Sequence, residues 1–227
     1  MTPTEFKNEF DLLYNNIMSD MAPGLDDYEI SLFLTQAQEE LVQQLYSGSG
    51  SFAGFEANER VRRNLANLLH TNTVTVTTPN KYGNYFVYSI DIANNILHII
   101  SERVEIGSLS CCNPEDNKKW VNVAPVKYDE INKVLENPFR RPNNRQVLRM
   151  DEGTNRVKII SKASVYKYEY DWLQKPSPII VSDLPAGFSI NGVSAAQTST
   201  LDESLHRPII KYAVQLAAAS WASNNKN

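Results

Sequence analysis

Apolar side chains recur at helical spacing in the first third of the chain. Two stretches open with capping signals, Thr2-Pro3 with Glu5 in the first and Asp26 with Glu29 in the second. The apolar face of the first stretch comprises Phe6, Phe10, Leu13 and Ile17. Residues 55–69 repeat this spacing. The pattern therefore predicts three helices with short connections, which is typical of a small antiparallel bundle.

Beyond residue 70, apolar and polar positions alternate, which is typical of β-strands. Residues 71–78 are predicted to form an extended linker or an edge strand. The predicted strands are residues 85–92, 96–106, 120–126, 145–150, 156–161 and 165–172. Residues 91–95 and 151–155 are predicted hairpin turns, and residues 128–135 a short helix.

The end of the chain returns to helical spacing after an irregular, proline-containing stretch. The expected fold class is α+β, with an N-terminal helical bundle, a β-rich middle and a C-terminal helix that packs back on the bundle. Its expected parts are a helical part at 1–70, a β-rich part at 71–180 with a short helix near 128–136, an extended arm or loop at 181–200, and a C-terminal helix at 201–227 that rejoins the helical part.

Composition and charge narrow the possible functions. The 227 residues carry a formal net charge of −4, which argues against a general duplex-DNA binder. No apolar run approaches the roughly 20 residues that span a bilayer, and the N-terminus does not resemble a secretory signal. Cys111 and Cys112 are adjacent and lack zinc spacing, so we expect two reduced thiols in a loop. Reduced thiols fit synthesis in a cytoplasm.

No arrangement of residues indicates catalysis. His70, His98 and His206 form no metal-binding pair, and we expect each to be structural. The glycines at positions 48–54 lack the Gly-Lys-Ser/Thr ending of a phosphate loop and follow a helix. Helix capping explains the acidic pair Asp26-Asp27. The sequence thus predicts no catalytic residue, no metal site and no cofactor.

Two groups of side chains are candidates for contact with another subunit. The cationic group comprises Arg140, Arg141, Arg145 and Arg149. It is interpreted as a solvated loop paired with acids on a neighbour, or as a contact to phosphate or to a protein partner, and arginine is common at interfaces. The aromatic group comprises Tyr166, Tyr168, Tyr170 and Trp172. Because these four share one face of a predicted strand, they are interpreted as half-buried sheet or a protein interface, in preference to a stacking platform for nucleic acid.

Several segments carry a resemblance to a known family. Residues 128–149 read YDEINKVLENPFRRPNNRQVLR, residues 172–180 read WLQKPSPII, and residues 201–217 read LDESLHRPIIKYAVQLA. Together with the helical stretch at 29–46, these segments resemble neck proteins of crAss-like and related Bacteroides phages. The resemblance covers most of the chain and has its weakest support at residues 71–122.

The resemblance implies a structural protein of the virion neck, assembled in the host cytoplasm. Such a protein would form a ring, with the twelvefold symmetry of the portal, that stacks between portal and tail. It would bind copies of itself, the portal and other neck or tail proteins. Packaged DNA would pass through its lumen without sequence-specific binding, and a mildly acidic lumen would favour that passage.

Other functions remain open at this point. One is a different virion protein, such as a tail-completion or head-decoration subunit, which ring stoichiometry would separate from an adaptor. A hydrolase would need two acids that converge in a cleft. A DNA-binding module that uses the cationic group would show steeply salt-sensitive binding to duplex DNA.

Overall fold

The computed structural model of the chain describes residues 1–18, 24–48, 55, 58–107 and 118–224. It is a mixed α+β protein, which confirms the predicted fold class. The α-helices in these residues are α1 Pro3–Met18, α2 Asp27–Ser47, α3 Glu59–Asn64, α4 Ile131–Glu136 and α5 His206–Asn224. The chain divides into two compact units, with Met1–Leu68 and Lys175–Asn227 in the first and Leu69–Gln174 in the second. Cys111 and Cys112 lie outside the described residues.

The predicted capping boxes start both long N-terminal helices. The amide of Thr2 donates to a carboxylate oxygen of Glu5 at 2.8 Å, and the amide of Glu5 donates to the Thr2 hydroxyl at 3.3 Å. Asp26 and Glu29 repeat this reciprocal pair at α2, with distances of 2.7 and 3.0 Å. Gly48 ends α2 with φ of 73°, a left-handed conformation that glycine adopts without strain. These boundaries confirm the starts of both predicted helices.

The structure corrects two details of the predicted helices. The third is much shorter than residues 55–69, because α3 ends at Asn64 and, after a 3₁₀ turn, Leu69 already begins a strand. On α1, Tyr14 is buried with Phe6 and Phe10, whereas Ile17 is 59% exposed. The buried face therefore rotates away from Ile17 in the last turn of α1.

Helix α5 contacts both α1 and α2. The ring of His206 lies 5.1 Å from the ring of Phe6, and the hydroxyl of Tyr212 donates to the carboxylate of Glu40 on α2. The apolar side chains that α5 buries are Ile209, Ile210, Ala213, Val214 and Ala217. Burial of this face supplies most of the stabilisation expected for an amphipathic helix.

The irregular segment after residue 175 is anchored on α2. The hydroxyl of Thr35 accepts from the amide of Ile179 at 3.1 Å and donates to its carbonyl at 3.3 Å. One turn earlier, the Ser31 hydroxyl accepts from the amide of Val181 at 3.1 Å. One turn later, the Gln38 amide donates to the carbonyl of Ser177 at 2.7 Å. The first part of this segment is thus held by its own chain.

The second unit is built on one eight-stranded sheet. Its strands are β1 Leu69–Thr75, β2 Asn80–Tyr82, β3 Tyr85–Asp91, β4 Ile96–Ile106, β5 Lys119–Pro125, β6 Gln146–Asp151, β7 Arg156–Ser161 and β8 Val165–Gln174. Their order is β1-β8-β4-β5-β6-β7-β3-β2, and among these described strands only β5 and β6 pair in parallel. Strand β1 is an edge strand, and an edge strand was one of the two alternatives predicted for residues 71–78.

Both ends of the sheet contribute to one core, so the sheet curls. The hydroxyl of Tyr88 on β3 accepts from the amide of Val165 on β8 at 3.0 Å, although four strands separate β3 from β8 in the sheet order. Side chains of β3, β4, β5, β6, β7 and β8 share this buried cluster.

The two predicted hairpins have different outcomes. Residues 151–155 join the antiparallel neighbours β6 and β7, and Gly153 has φ of 79° in the turn, which confirms that hairpin. Residues 91–95 do not form a hairpin. They connect β3, which pairs with β7, to β4, which pairs with β8, and these strands lie apart in the sheet.

Helix α4 covers part of the outer face of the sheet. Val134 is buried against Leu148, Met150 and Ile160 of β6 and β7. The helix is shorter than residues 128–135, because the chain from Tyr128 to Glu130 forms a turn. This packing fixes the point at which the chain leaves α4 and enters the segment that carries the cationic group.

Candidate subunit interface

A hydrogen-bonded turn, residues 137–145, follows α4 and leads into β6. Asn137 begins it, since its side-chain oxygen accepts from the amide of Phe139 at 2.9 Å and its carbonyl accepts from the amide of Arg141 at 3.0 Å. Asn143 ends it, accepting from the amide of Arg145 at 2.8 Å. Asparagine side chains satisfy turn amides in this way. These hydrogen bonds therefore define the backbone conformation of the 137–145 turn.

This 137–145 turn exposes an aromatic ring between charged neighbours. Phe139 is 90% exposed, and Arg140, Arg141 and Arg145 are also exposed. In the part of the chain that the structure describes, no carboxylate forms an ion pair with any of these three arginines. The interpretation as a solvated loop paired with acids on a neighbour stays a prediction. Sequence reasoning missed Phe139, although its position within the Asn-Pro-Phe-Arg turn could have drawn notice.

Arg149 differs from the other three arginines. Only 12% of its side chain is exposed, and its Nη1 atom lies 3.3 Å from Oε1 of Glu102, which is 8% exposed. Its Nη2 atom lies 3.5 Å from a carboxylate oxygen of Asp151. The guanidinium of Arg149 is therefore held inside the sheet unit by carboxylates of its own chain, and its expected contact with another subunit stays a prediction.

Glu102 sits at the centre of this buried network. Burial raises the pKa of its carboxyl above the ordinary value of 4.5, while the Tyr168 hydroxyl and the Arg149 guanidinium act in the opposite direction. Tyr168 donates its hydroxyl hydrogen to Glu102, and burial and the adjacent carboxylate raise the pKa of Tyr168. A buried carboxylate needs these partners to remain charged.

The aromatic group is mostly part of the core. Tyr168, Tyr170 and Trp172 are 0%, 1% and 6% exposed, and all three belong to the buried cluster of the curled sheet. These three side chains therefore pack inside their own chain, and the aromatic interface stays a prediction. Tyr166 is half-buried, and the Lys118 ammonium lies 4.2 Å from the centre of its ring.

The first unit carries a concave surface that is rich in carboxylates, in contrast to the arginines of the 137–145 turn. A groove of about 800 Å³ lies where α1 begins and the chain enters α5. Its charged and apolar lining includes Met1, Glu5, Glu9, Leu12, Glu203 and Arg207. Glu9 lies 3.5 Å from Arg207, and Leu12 is 62% exposed. We call this surface the acidic groove, because three carboxylates face one guanidinium and the N-terminal amine.

His70 and His206 each have a ring contact with an aromatic side chain. The ring of His70 lies 5.2 Å from that of Trp172, and burial lowers the pKa of both His98 and His206. Within the described ranges, no three His, Cys, Asp or Glu side chains are grouped closely enough to hold a metal ion. None of the helices in those ranges is long and apolar enough to cross a membrane.

Comparison with known proteins points to phage ring proteins. The family described as phage tail ring protein 3/4 matches residues 1–227. The chain is 36% identical over 225 residues to Ring protein 3 of Bacteroides phage crAss001, covering 97% of this chain and 96% of that protein. It is 29% identical over 238 residues to Ring protein 4/5 of the same phage, covering 97% and 94%.

Proposed function

The chain belongs to the phage tail ring protein 3/4 family, and from this premise we propose that it forms a closed ring in the neck of a tailed phage, between portal and tail. The membership makes it a ring protein of a crAss-like phage and so a structural component of the virion. The finer proposal is a head-to-tail adaptor that takes the portal's twelvefold symmetry and extends the DNA channel.

One observation carries this proposal. The correspondence with Ring protein 3 runs over 97% of the chain and 96% of the relative, so it includes both compact units. The family match spans residues 1–227, and it therefore includes the segments that form the 137–145 turn and the acidic groove. A ring built from one kind of chain needs two different surfaces that complement each other, and the chain offers both.

We propose that the exposed arginines of the 137–145 turn contact another subunit. Arg140, Arg141 and Arg145 project into solvent without carboxylate partners among the described residues, and Phe139 adds an exposed apolar surface beside them. Arginine and phenylalanine are both enriched in protein interfaces. Arg149 and the buried aromatic side chains support this surface from within the sheet unit.

The same proposal assigns the chain no catalytic step. Its partners would be further copies of itself, the portal and the adjoining neck or tail proteins. DNA would pass through the lumen without sequence-specific contacts, consistent with a net charge of −4. Assembly would take place in the host cytoplasm before the ring enters the virion.

A second position in the virion remains a candidate. The matching family is described as a tail ring protein, which favours a ring on the tail side of the neck or in tail completion. Both positions require a closed oligomer, and they differ in the protein that templates it.

The experiment is a measurement of mass in solution, for the purified protein alone and after mixing with the portal protein of the same genome. A closed oligomer of about twelve subunits in either sample is the expected result. A ring that forms without binding the portal would favour the tail position. A monomer in both samples, with no portal complex, would refute the neck ring.

A further inference from the structure

We propose that the 137–145 turn of one copy docks in the acidic groove of the next copy, and that this contact closes the ring. The inference rests on the proposed ring function and names the two surfaces that meet. Phe139 would pack against the exposed part of Leu12, and Arg140 and Arg141 would face the carboxylates of the groove.

The first argument is charge complementarity. The turn presents three guanidinium groups that lack carboxylate partners in the described part of the chain. The groove presents Glu5, Glu9 and Glu203 against the Arg207 guanidinium and the N-terminal amine, which lies 3.2 Å from His206. Opposite charges across an interface steer association and fix its register.

The second argument is shape and apolar surface. The turn carries a phenylalanine with 90% exposure, and the groove has an exposed leucine and a volume of about 800 Å³. An aromatic ring that enters a pocket rimmed by charged groups is the usual arrangement of an interface hot spot. Each of the two surfaces thus combines charged groups with one exposed apolar side chain.

The third argument is the symmetry of a ring. A heterologous contact joins two different patches of the same chain, and repeated around an axis it closes a ring. The turn belongs to the unit Leu69–Gln174, and the groove belongs to the other unit. They are therefore separate surfaces, as a heterologous contact requires.

Another concavity fits the turn less well. It has a volume of about 560 Å³ and is lined by residues 125–129 and Asp151. Its two carboxylates are Asp129 and Asp151, compared with three carboxylates in the acidic groove.

The test exchanges charges between the two surfaces. One variant carries Arg140→Glu with Arg141→Glu, and a second carries Glu9→Lys with Glu203→Lys. Each alone should lose ring assembly, with association at least roughly tenfold weaker, because like charges would meet at every contact. Circular dichroism and thermal unfolding, compared with the wild type, establish that both variants remain folded.

The decisive sample is an equimolar mixture of the two variants. In an alternating ring, each reversed turn meets a reversed groove and each native turn meets a native groove, so assembly should return. Native mass spectrometry should then give the two chains in a ratio of 1:1. An alternating ring needs an even number of subunits, as a twelvefold ring has.

A matched control reverses two exposed lysines elsewhere, Lys133→Glu with Lys162→Glu. This variant has the same change in net charge as the turn variant, and it should assemble like the wild type. Mixed with the groove variant, it should form rings that exclude the groove variant, since that variant's groove still repels every turn.

The remaining outcomes are distinct. Normal assembly of the groove variant, or a mixture that stays unassembled, would overturn the docking of turn in groove but leave the ring itself intact. Normal assembly of the turn variant with loss of salt-sensitive binding to duplex DNA would assign the turn to phosphate contact. Failure of the wild type to assemble, even with the portal, would instead refute the proposed function.

Discussion

The Arg149–Glu102 pair shows how one buried charge depends on another. Both side chains are nearly inaccessible, and the carboxylate also accepts the hydroxyl hydrogen of Tyr168. Removing one partner of a buried pair leaves an uncompensated charge, which costs about 3–5 kcal/mol. We therefore predict that Arg149→Met lowers the free energy of unfolding by about that amount, as measured by chemical denaturation. An increase in stability would show that the pair is not a stabilising element.

The matched control for this variant is Arg140→Met. Arg140 is exposed and has no carboxylate partner among the described residues, so its replacement should change stability by less than about 0.5 kcal/mol.

The effect of Arg149→Met should also depend on pH. Loss of the guanidinium raises the pKa of Glu102 further, so the folded variant binds a proton more tightly than the folded wild type. The variant's deficit should therefore grow as pH rises above the raised pKa of Glu102 in the folded wild type, and shrink in acid.

The aromatic group shows what a pattern of residues predicts about structure and what that pattern does not determine. The alternation along β8 predicted that Tyr166, Tyr168, Tyr170 and Trp172 share one face, and the last three lie together in the buried cluster. Alternation alone does not say whether the shared face meets solvent, a partner or the chain's own core. The curl of the sheet decides this, because it brings β3 over the face of β8 and buries these three side chains.

At the scale of elements, side chains of α2 form hydrogen bonds with the backbone of the irregular segment after residue 175, as a neighbouring strand would do in a sheet. The Thr35 hydroxyl satisfies both the amide and the carbonyl of Ile179, and both residues are almost fully buried. We predict that Thr35→Val destabilises the protein by about 1–3 kcal/mol, because it leaves buried backbone groups without hydrogen bonds. Denaturation and hydrogen exchange at the Ile179 amide would measure this, and the amide should lose protection.

Thr35→Ser is the control for this prediction, since it keeps the hydroxyl and removes only a methyl group. It should retain most of the protection at Ile179. Equal exchange in the two variants would mean that the hydroxyl does not hold the segment on the helix.

The elements that sequence predicted well are those with local signals. Strands β4 and β7 have the predicted bounds, and the capping boxes mark the starts of α1 and α2. The connection at residues 91–95 has the same local composition as a hairpin, yet β3 and β4 pair elsewhere. Pairing between strands distant in sequence depends on packing of the whole sheet, which a local pattern does not contain.

At the scale of the whole molecule, the sheet unit is inserted into the helical unit. The chain leaves the first unit after Leu68 and returns to it at Lys175. Leu69 pairs with Leu173, so the two ends of the inserted unit lie side by side on neighbouring strands. Adjacent ends are typical of domains that tolerate insertion and fold alone.

We therefore predict that residues 69–174 fold when produced as a separate chain. Most buried side chains of the sheet contact other residues of the same unit, so the core should form without the helices. The expected result is a β-rich circular dichroism spectrum and a single cooperative thermal transition.

The fragment contains the 137–145 turn but lacks the acidic groove, so it should not form rings. It should instead bind to the groove of intact chains and inhibit their assembly. A folded fragment with no effect on assembly would separate the turn from ring closure, whereas an unfolded fragment would show that the sheet depends on the helical unit.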